Sequence, residues 1–191
     1  MKRALAGLLL VLLLGACQQR VIATVTRFTT LPPPPINRTF TIIPDQYQVG
    51  NLEFQQTAAR VATALASLGF RAVPQDQPAD YAVFIRFGPA GARTEIIDYG
   101  PPMIGPYWRR PYPYYYPQYS SYTLYAAFLE VDMLDGAAWR RHETKMAFQG
   151  RAVTETGIRE FNVVIPYLVQ GLFDHFPGIN GETVHVVIPV P

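Results

Sequence analysis

Three stretches, TFTIIP (residues 39–44), NLEFQQTAARVATALASLGF (51–70) and YAVFIRF (81–87), decide how this chain folds. In the first, β-branched and aromatic residues predict a strand over Thr39 to Ile43, ended by Pro44. The second has helical spacing: Leu52, Ala58, Val61, Leu65 and Leu68 fall on one stripe, with Gln55, Gln56 and Arg60 off it. Asn51 is placed to cap that helix, Glu53 lies in the first turn where the dipole favours an anion, and Gly69 supplies the left-handed stop. In the third, Tyr81, Val83, Ile85 and Phe87 line one side of a strand, and Ala82, Phe84 and Arg86 the other. Strand, helix, strand at this spacing predicts a crossover unit with its two strands parallel, an antiparallel neighbour being the alternative.

Downstream, a short run from Thr94 to Tyr99 follows Gly88-Pro89-Ala90-Gly91 and reads as a separate strand. Two β-prone arms, Tyr122 to Leu134 and Ala138 to Phe148, flank Asp135-Gly136, a dipeptide suited to a tight hairpin turn. Leu129, Val131 and Met133 alternate with Glu130 and Asp132 on the first arm. Gly150 to Gly157 reads as a polar connection. Ile158, Phe161, Ile165, Leu168, Leu172 and Phe176 then trace a second helical face, with Pro166 beside it predicting a kink or a restart. TVHVVI (183–188) is a closing strand, and Val21 to Phe28 is an opening one. Between Phe28 and Thr39, four consecutive prolines, Pro32 to Pro35, make a stiff polyproline spacer.

Ahead of the opening strand, Met1 to Cys17 reads MKRALAGLLLVLLLGAC. Lys2 and Arg3 precede an apolar run too short for the ~20 residues that cross a hydrocarbon core, so it reads as an export signal and not a membrane span. Leu14-Gly15-Ala16-Cys17 resembles the bacterial lipobox, which places cleavage after residue 16 and a diacylglycerol with an N-acyl chain such as palmitate on Cys17. Cys17 is the single cysteine, so no internal disulfide competes for it. The expected organisation is a cleaved signal (1–16), a tether (17–20) and one domain (21–191). Of 16 basic residues, Lys2 and Arg3 leave with the signal, so 14 basic face 14 acidic residues and nucleic-acid binding has no electrostatic footing. The expected partner is a membrane, reached through the lipid.

Residue chemistry argues against most catalytic classes. Ser67, Ser120 and Ser121 are the only serines and none lies in a nucleophile elbow. His142-Glu143 starts like a zinc-protease motif, but Met146 stands where the second histidine belongs, and His175 and His185 lie on other elements. Lys145, the one lysine after Lys2, follows Thr144 and not glycine, which excludes a phosphate-binding loop. A hydrolase with a carboxylate site built from Asp132, Asp135, Glu143 and His142 is the enzymatic alternative. The better candidate is the stretch GPPMIGPYWRRPYPYYYPQYSSY (100–122), where six prolines forbid a core element. Its Tyr107, Trp108, Arg109, Arg110, Tyr112, Tyr114, Tyr115, Tyr116 and Tyr119 suit a glycan, an envelope protein or a lipid interface.

The lipobox, the TFTIIP strand, the helix ending Leu68-Gly69-Phe70, the Ala79-Asp80-Tyr81-Ala82-Val83 strand start, Leu134-Asp135-Gly136 leading to Trp139-Arg140, and a helix closing on Phe176-Pro177 together resemble bacterial envelope lipoproteins carrying domain of unknown function 4136 (DUF4136). The resemblance covers nearly all of the chain after Cys17. It implies an α+β two-layer sandwich, a mixed and mostly antiparallel sheet with two main helices on one face, and offers no established activity or catalytic residues to carry over; no metal or cofactor is expected beyond the acyl chains on Cys17. Gln18, in place of aspartate after the cysteine, implies an outer-membrane address facing the periplasm. The Tyr/Pro insert and Pro166 depart from the family pattern. The expected function is a non-enzymatic binding or structural module of the cell envelope, with its oligomeric state open.

Overall fold

The computed structural model describes residues 20–98 and 119–190. Among these, seven strands form one mixed sheet and three helices accompany it, an α+β sandwich as the sequence predicts. In chain order the elements are β1 (Arg20–Thr29), β2 (Thr39–Ile42), α1 (Leu52–Ser67), β3 (Arg71–Ala72), β4 (Tyr81–Asp98), β5 (Tyr119–Asp135), α2 (Gly136–Arg140), β6 (Met146–Thr156), α3 (Phe161–Phe173) and β7 (Thr183–Pro189). Across the sheet they run β3-β2-β4-β5-β6-β1-β7. β2 pairs in parallel with both β3 and β4, so α1 is the crossover that the 39–87 stretch predicts, and every other pairing is antiparallel.

Asn51 caps α1 as its sequence position implies, its side chain accepting from the amides of Glu53 and Phe54. The buried stripe is Phe54, Thr57, Val61 and Leu65, so Phe54 and not Leu52 begins the packed face and Leu52 stands in solvent. α3 begins at Phe161, after Ile158, and runs on through Pro166 without a restart. Only one backbone bond is lost there, and Val164, Ile165, Leu168 and Leu172 are sealed on either side. α3 lies across β5, β6, β1 and β7 and packs against α1. Together they cover one face, burying Val25, Phe40, Ile85, Leu129, Met133, Phe148 and Ile188 in a single core.

Three local expectations are corrected. β4 does not stop at Gly88: it continues to Asp98 in one ladder with β5, and a register shift between Pro89 and Gly91, with Gly91 at φ 122°, absorbs the irregularity. Asp135-Gly136 is not a tight hairpin turn. Asp135 has φ −54° and accepts from the Ala138 amide, so it caps α2, and the second arm starts at Met146 instead of Ala138. Gly150 to Thr156 is strand and not a connection; Phe148, Gly150, Ala152 and Thr154 all point inward. Gly150 is glycine because a Cβ there would lie 2.7 Å from the Phe148 ring and 2.9 Å from Leu172.

The stiff spacer around Pro32–Pro35 carries the chain from β1 to β2 across four strand positions, a span of ~19 Å at ~4.8 Å each. It passes over the end of α1, where the Ile36 amide donates to the Leu68 carbonyl at 3.3 Å. Asp80 locks the far end of this connection. One of its carboxylate oxygens accepts from the amide and the hydroxyl of Thr39, both at 2.7 Å, and the other from Arg38 at 3.4 Å. These bonds, the Thr39 amide first, hold the Asp80 carboxyl below its ordinary value. Its contribution is therefore present above the unfolded-state value near ~3.9 and disappears as pH falls through the lower folded value. Asp80→Asn should cost about 1 kcal/mol at pH 7, small because the group is over one-third exposed. Thermal melts of parent and variant should converge as pH drops below ~4; a gap that persists at pH 2 would refute the assignment.

Candidate functional site

The sheet face away from α1 and α3 carries no long helix among the described residues. Alternation sends Phe84 and Arg86 of β4, Glu130, Asp132 and Leu134 of β5, Gln149 and Arg151 of β6, and Thr26 and Phe28 of β1 to this side. Register then sets them in rows. Arg86, Glu130, Arg151, Thr26 and Thr183 stand in line across five strands, with Phe84, Asp132, Gln149 and Phe28 in the next row.

The charges in these rows neutralise one another. Arg86 reaches Asp132 at 2.8 Å and Glu130 at 3.1 Å, and Glu130 also takes Arg151 at 3.4 Å. Arg151 in turn lies 5.9 Å above the Phe128 ring. Asp132 is 8% exposed, and burial raises its carboxyl above the ordinary value against the pull of Arg86. Its protonated form is thereby favoured by the folded protein.

Beside Asp132 the face is hollowed into a cleft of about 370 Å³. Phe84 and Leu134 form the sheet side of it, and Trp139, swung over from α2, meets Phe84 edge-on at 4.9 Å between ring centroids. Ile43, Asp45, Gln48, Thr144 and Met146 complete the rim. The loop after β2 is pinned there by Gln48, whose side-chain amide donates to the Ile85 carbonyl at 2.8 Å and whose carboxamide oxygen accepts from the Asp45 amide. Apolar walls with a few convergent polar groups are the usual makeup of a ligand site. A second hollow of about 310 Å³ borders Arg86, Asp132, Gln149, Arg151 and Phe28 on the same face.

The sequence-derived candidates fall elsewhere or apart. Cys17, Tyr107, Trp108, Arg109, Arg110, Tyr112, Tyr114, Tyr115 and Tyr116 lie outside the described residues. Tyr119, expected in a loop, is the first residue of β5, and strand pairing with β4 begins there. The hairpin carboxylates do not act as a set. Asp135 caps α2 and sits 3.6 Å from Lys145, while Glu143 is held by Arg141 at 2.8 Å. The Ala138 amide lowers the Asp135 carboxyl and Arg141 lowers that of Glu143, so both stay ionised. His142 occupies a positive-φ turn after α2, His185 meets the Thr24 hydroxyl at 3.1 Å, and His175 lies beside Asp174. Asp132 alone of that group lines the cleft. Phe84, Arg86 and Trp139 were not singled out by sequence as a site. The available signal was the alternation of Phe84-Arg86 on one strand against Glu130-Asp132 on its partner, which becomes a site only once the register is known.

A family model described as domain of unknown function (DUF4136) matches residues 34–178. The chain belongs to the DUF4136 family. Every residue lining the cleft lies within the matched DUF4136 span, whereas β1 and β7, which complete the sheet, lie outside it. Among solved structures, the PelC dodecamer from Paraburkholderia phytofirmans is 10% identical, the alignment covering 83% of this chain and 99% of that one at a TM-score of 0.41. A PDZ domain protein from Parabacteroides distasonis is 8% identical over 89% of this chain and 39% of that one, at a TM-score of 0.45. Likenesses at this level say nothing about what the DUF4136 domain binds. No curated protein matches the chain.

Proposed function

We propose that this DUF4136 domain is a non-enzymatic binding module held on the periplasmic side of a bacterial outer membrane by acyl chains on Cys17, and that its cleft takes a saccharide of the cell envelope. The observation that carries the reading is the composition of the cleft: a Trp139 ring, 38% exposed and braced by Phe84, beside the planar polar groups of Gln48, Asp45 and Asp132. Sugars present apolar C–H faces and a rim of hydroxyls, which an aromatic plane and carboxylate or carboxamide groups match. Arg86 keeps Asp132 charge-compensated, suiting recognition more than proton transfer.

Binding of soluble peptidoglycan and lipopolysaccharide saccharides by calorimetry tests this. Trp139→Ala should lower the melting midpoint modestly, since the ring is only partly exposed and packs on Phe84, and weaken binding at least ~10-fold, about 1.4 kcal/mol. Equal affinity in the variant would remove the cleft from the reading. The raised Asp132 carboxyl is the one feature favouring the hydrolase alternative. Cleaved saccharide that vanishes with Asp132→Asn would establish that alternative instead. The Tyr/Pro stretch remains the other proposed contact for a glycan or an envelope protein, and deletion of residues 105–118 with retained saccharide affinity would exclude it from the binding step.

A further inference from the structure

The β4–β5 ladder outruns the sheet. β6 ends at Thr156, opposite Tyr125, yet β4 and β5 stay paired for six more residues on each strand, to Asp98 and Tyr119. This two-stranded ribbon leaves the sheet at the same end as the first residue of β1 and the last of β7, since Arg20 faces Pro189 and Ala23 lies level with Thr154 and Ala127. Its outer half exposes four large apolar or aromatic side chains among smaller polar ones: Ile96 is 70% exposed, Tyr119 62%, Tyr122 42% and Ile97 40%. Two of the ribbon's charges are paired, and Asp98 is exposed at the end of β4. Arg93 bridges Glu95 at 3.3 Å and Glu155 at 2.7 Å, and the Tyr122 hydroxyl donates to Glu95.

Distances along the strands compare the ribbon with the tether. Arg20, three residues before Ala23, stands level with Leu124, and Tyr119 lies five residues beyond that, ~17 Å further at ~3.4 Å each. Cys17 precedes Arg20 by three residues, which reach ~10 Å at full extension. The ribbon tip therefore extends past the farthest point the tether can reach.

We propose that Ile96, Ile97, Tyr119 and Tyr122 lie in the headgroup layer of the bilayer that holds the protein, making the ribbon a second, non-covalent membrane contact. The proposal rests on the acylation of Cys17 proposed above. A surface at the level of the acyl chains meets the ribbon before it meets the sheet, and tyrosine with adjacent aliphatic side chains is the composition that favours the interface. Two contacts fix an orientation that a single attachment point leaves free.

The test uses the full-length chain, expressed in a bacterial host and reconstituted in phosphatidylethanolamine–phosphatidylglycerol vesicles. Ile96→Cys and, in α2 just past the opposite end of β5, Ala137→Cys each receive a polarity-sensitive fluorophore, with intact mass reporting the state of Cys17. The expected result is a blue shift and quenching by headgroup-labelled lipid at residue 96, neither at residue 137, and an acylated Cys17 that takes no dye. Acylated protein whose residue 96 probe stays in water overturns the ribbon contact and leaves the anchor standing. If Cys17 is bare, a residue 96 probe that still enters the vesicles upholds the ribbon contact and removes the anchor, and one that stays in water removes both.

Discussion

Replacing Arg27 with methionine should lower stability by about 3–5 kcal/mol and the melting midpoint by roughly 10 °C. Arg27 sits on β1, is 5% exposed, and aims its guanidinium at the end of α3. Its Nε donates to the Leu172 carbonyl at 3.0 Å, and one Nη donates to those of Gly171 at 2.8 Å and Asp174 at 2.7 Å. These carbonyls end a helix whose last turn has no basic residue of its own, so Arg27 satisfies its acceptors and meets the negative end of its dipole. Burial pushes the guanidinium pKa down while Asp174 and Glu182 push it up, and the cation is retained. Methionine keeps the apolar stem and leaves three acceptors without a donor, each costing ~1–3 kcal/mol. Arg27→Lys should fall between parent and Arg27→Met, because one ammonium cannot reproduce the planar fork. Arg141, whose side chain is 60% exposed, is the control: Arg141→Met should shift the midpoint little. A melting curve unchanged in Arg27→Met would show that the helix end is solvated and not capped.

The second large effect is expected at Gly136. A Cβ there would lie 2.1 Å from the Ala79 carbonyl oxygen and 3.0 Å from the Asp80 carbonyl carbon, both backbone atoms that no rotamer change can move. The Gly136 amide donates to the Asp80 carbonyl at 2.7 Å, so the close approach is also a hydrogen bond. Gly136→Ala must pry α2 from the start of β4, at a cost of at least ~2–3 kcal/mol, and carry Trp139 away from Phe84. The melting midpoint and the proposed saccharide affinity should both fall, which separates this variant from Trp139→Ala, where the affinity falls with a smaller change in the midpoint. Wild-type stability in Gly136→Ala would contradict the packing described here.

How much of this was legible in the sequence follows from range. The crossover, its Asn51 cap and the alternation of β4 are local patterns, and 39–87 states them in full. Asp135-Gly136 misleads because the same two residues suit a positive-φ turn and a cap-plus-contact; a carbonyl 56 residues earlier, at Asp80, selects the second. Gly150 looks like a breaker until Phe148 and Leu172 are seen to fill the space a side chain would need. The cleft was hidden for a related reason. Gln48, Phe84, Asp132 and Trp139 come from four separate elements, and only sheet register brings them together. Arg27 shares the parity of Val21, Ala23 and Val25, so alternation alone puts it on the core face; its partners at Gly171, Leu172 and Asp174 are too distant in sequence to be read from it.

The place of β1 between β6 and β7 also sets an order of events. β1 occupies residues 20–29, while its two neighbours are Met146–Thr156 and Thr183–Pro189. A chain delivered N-terminus first must therefore hold its earliest strand unpaired until β6 has emerged, and leave one edge of it open until β7 follows. The loop closed by the first of these pairings runs from Thr29 to Met146, and such long-range pairing is slow. The central antiparallel ladder can zip earlier, around residues that are already neighbours. The finished sheet is then a late product, complete only when both ends of the described chain have come together.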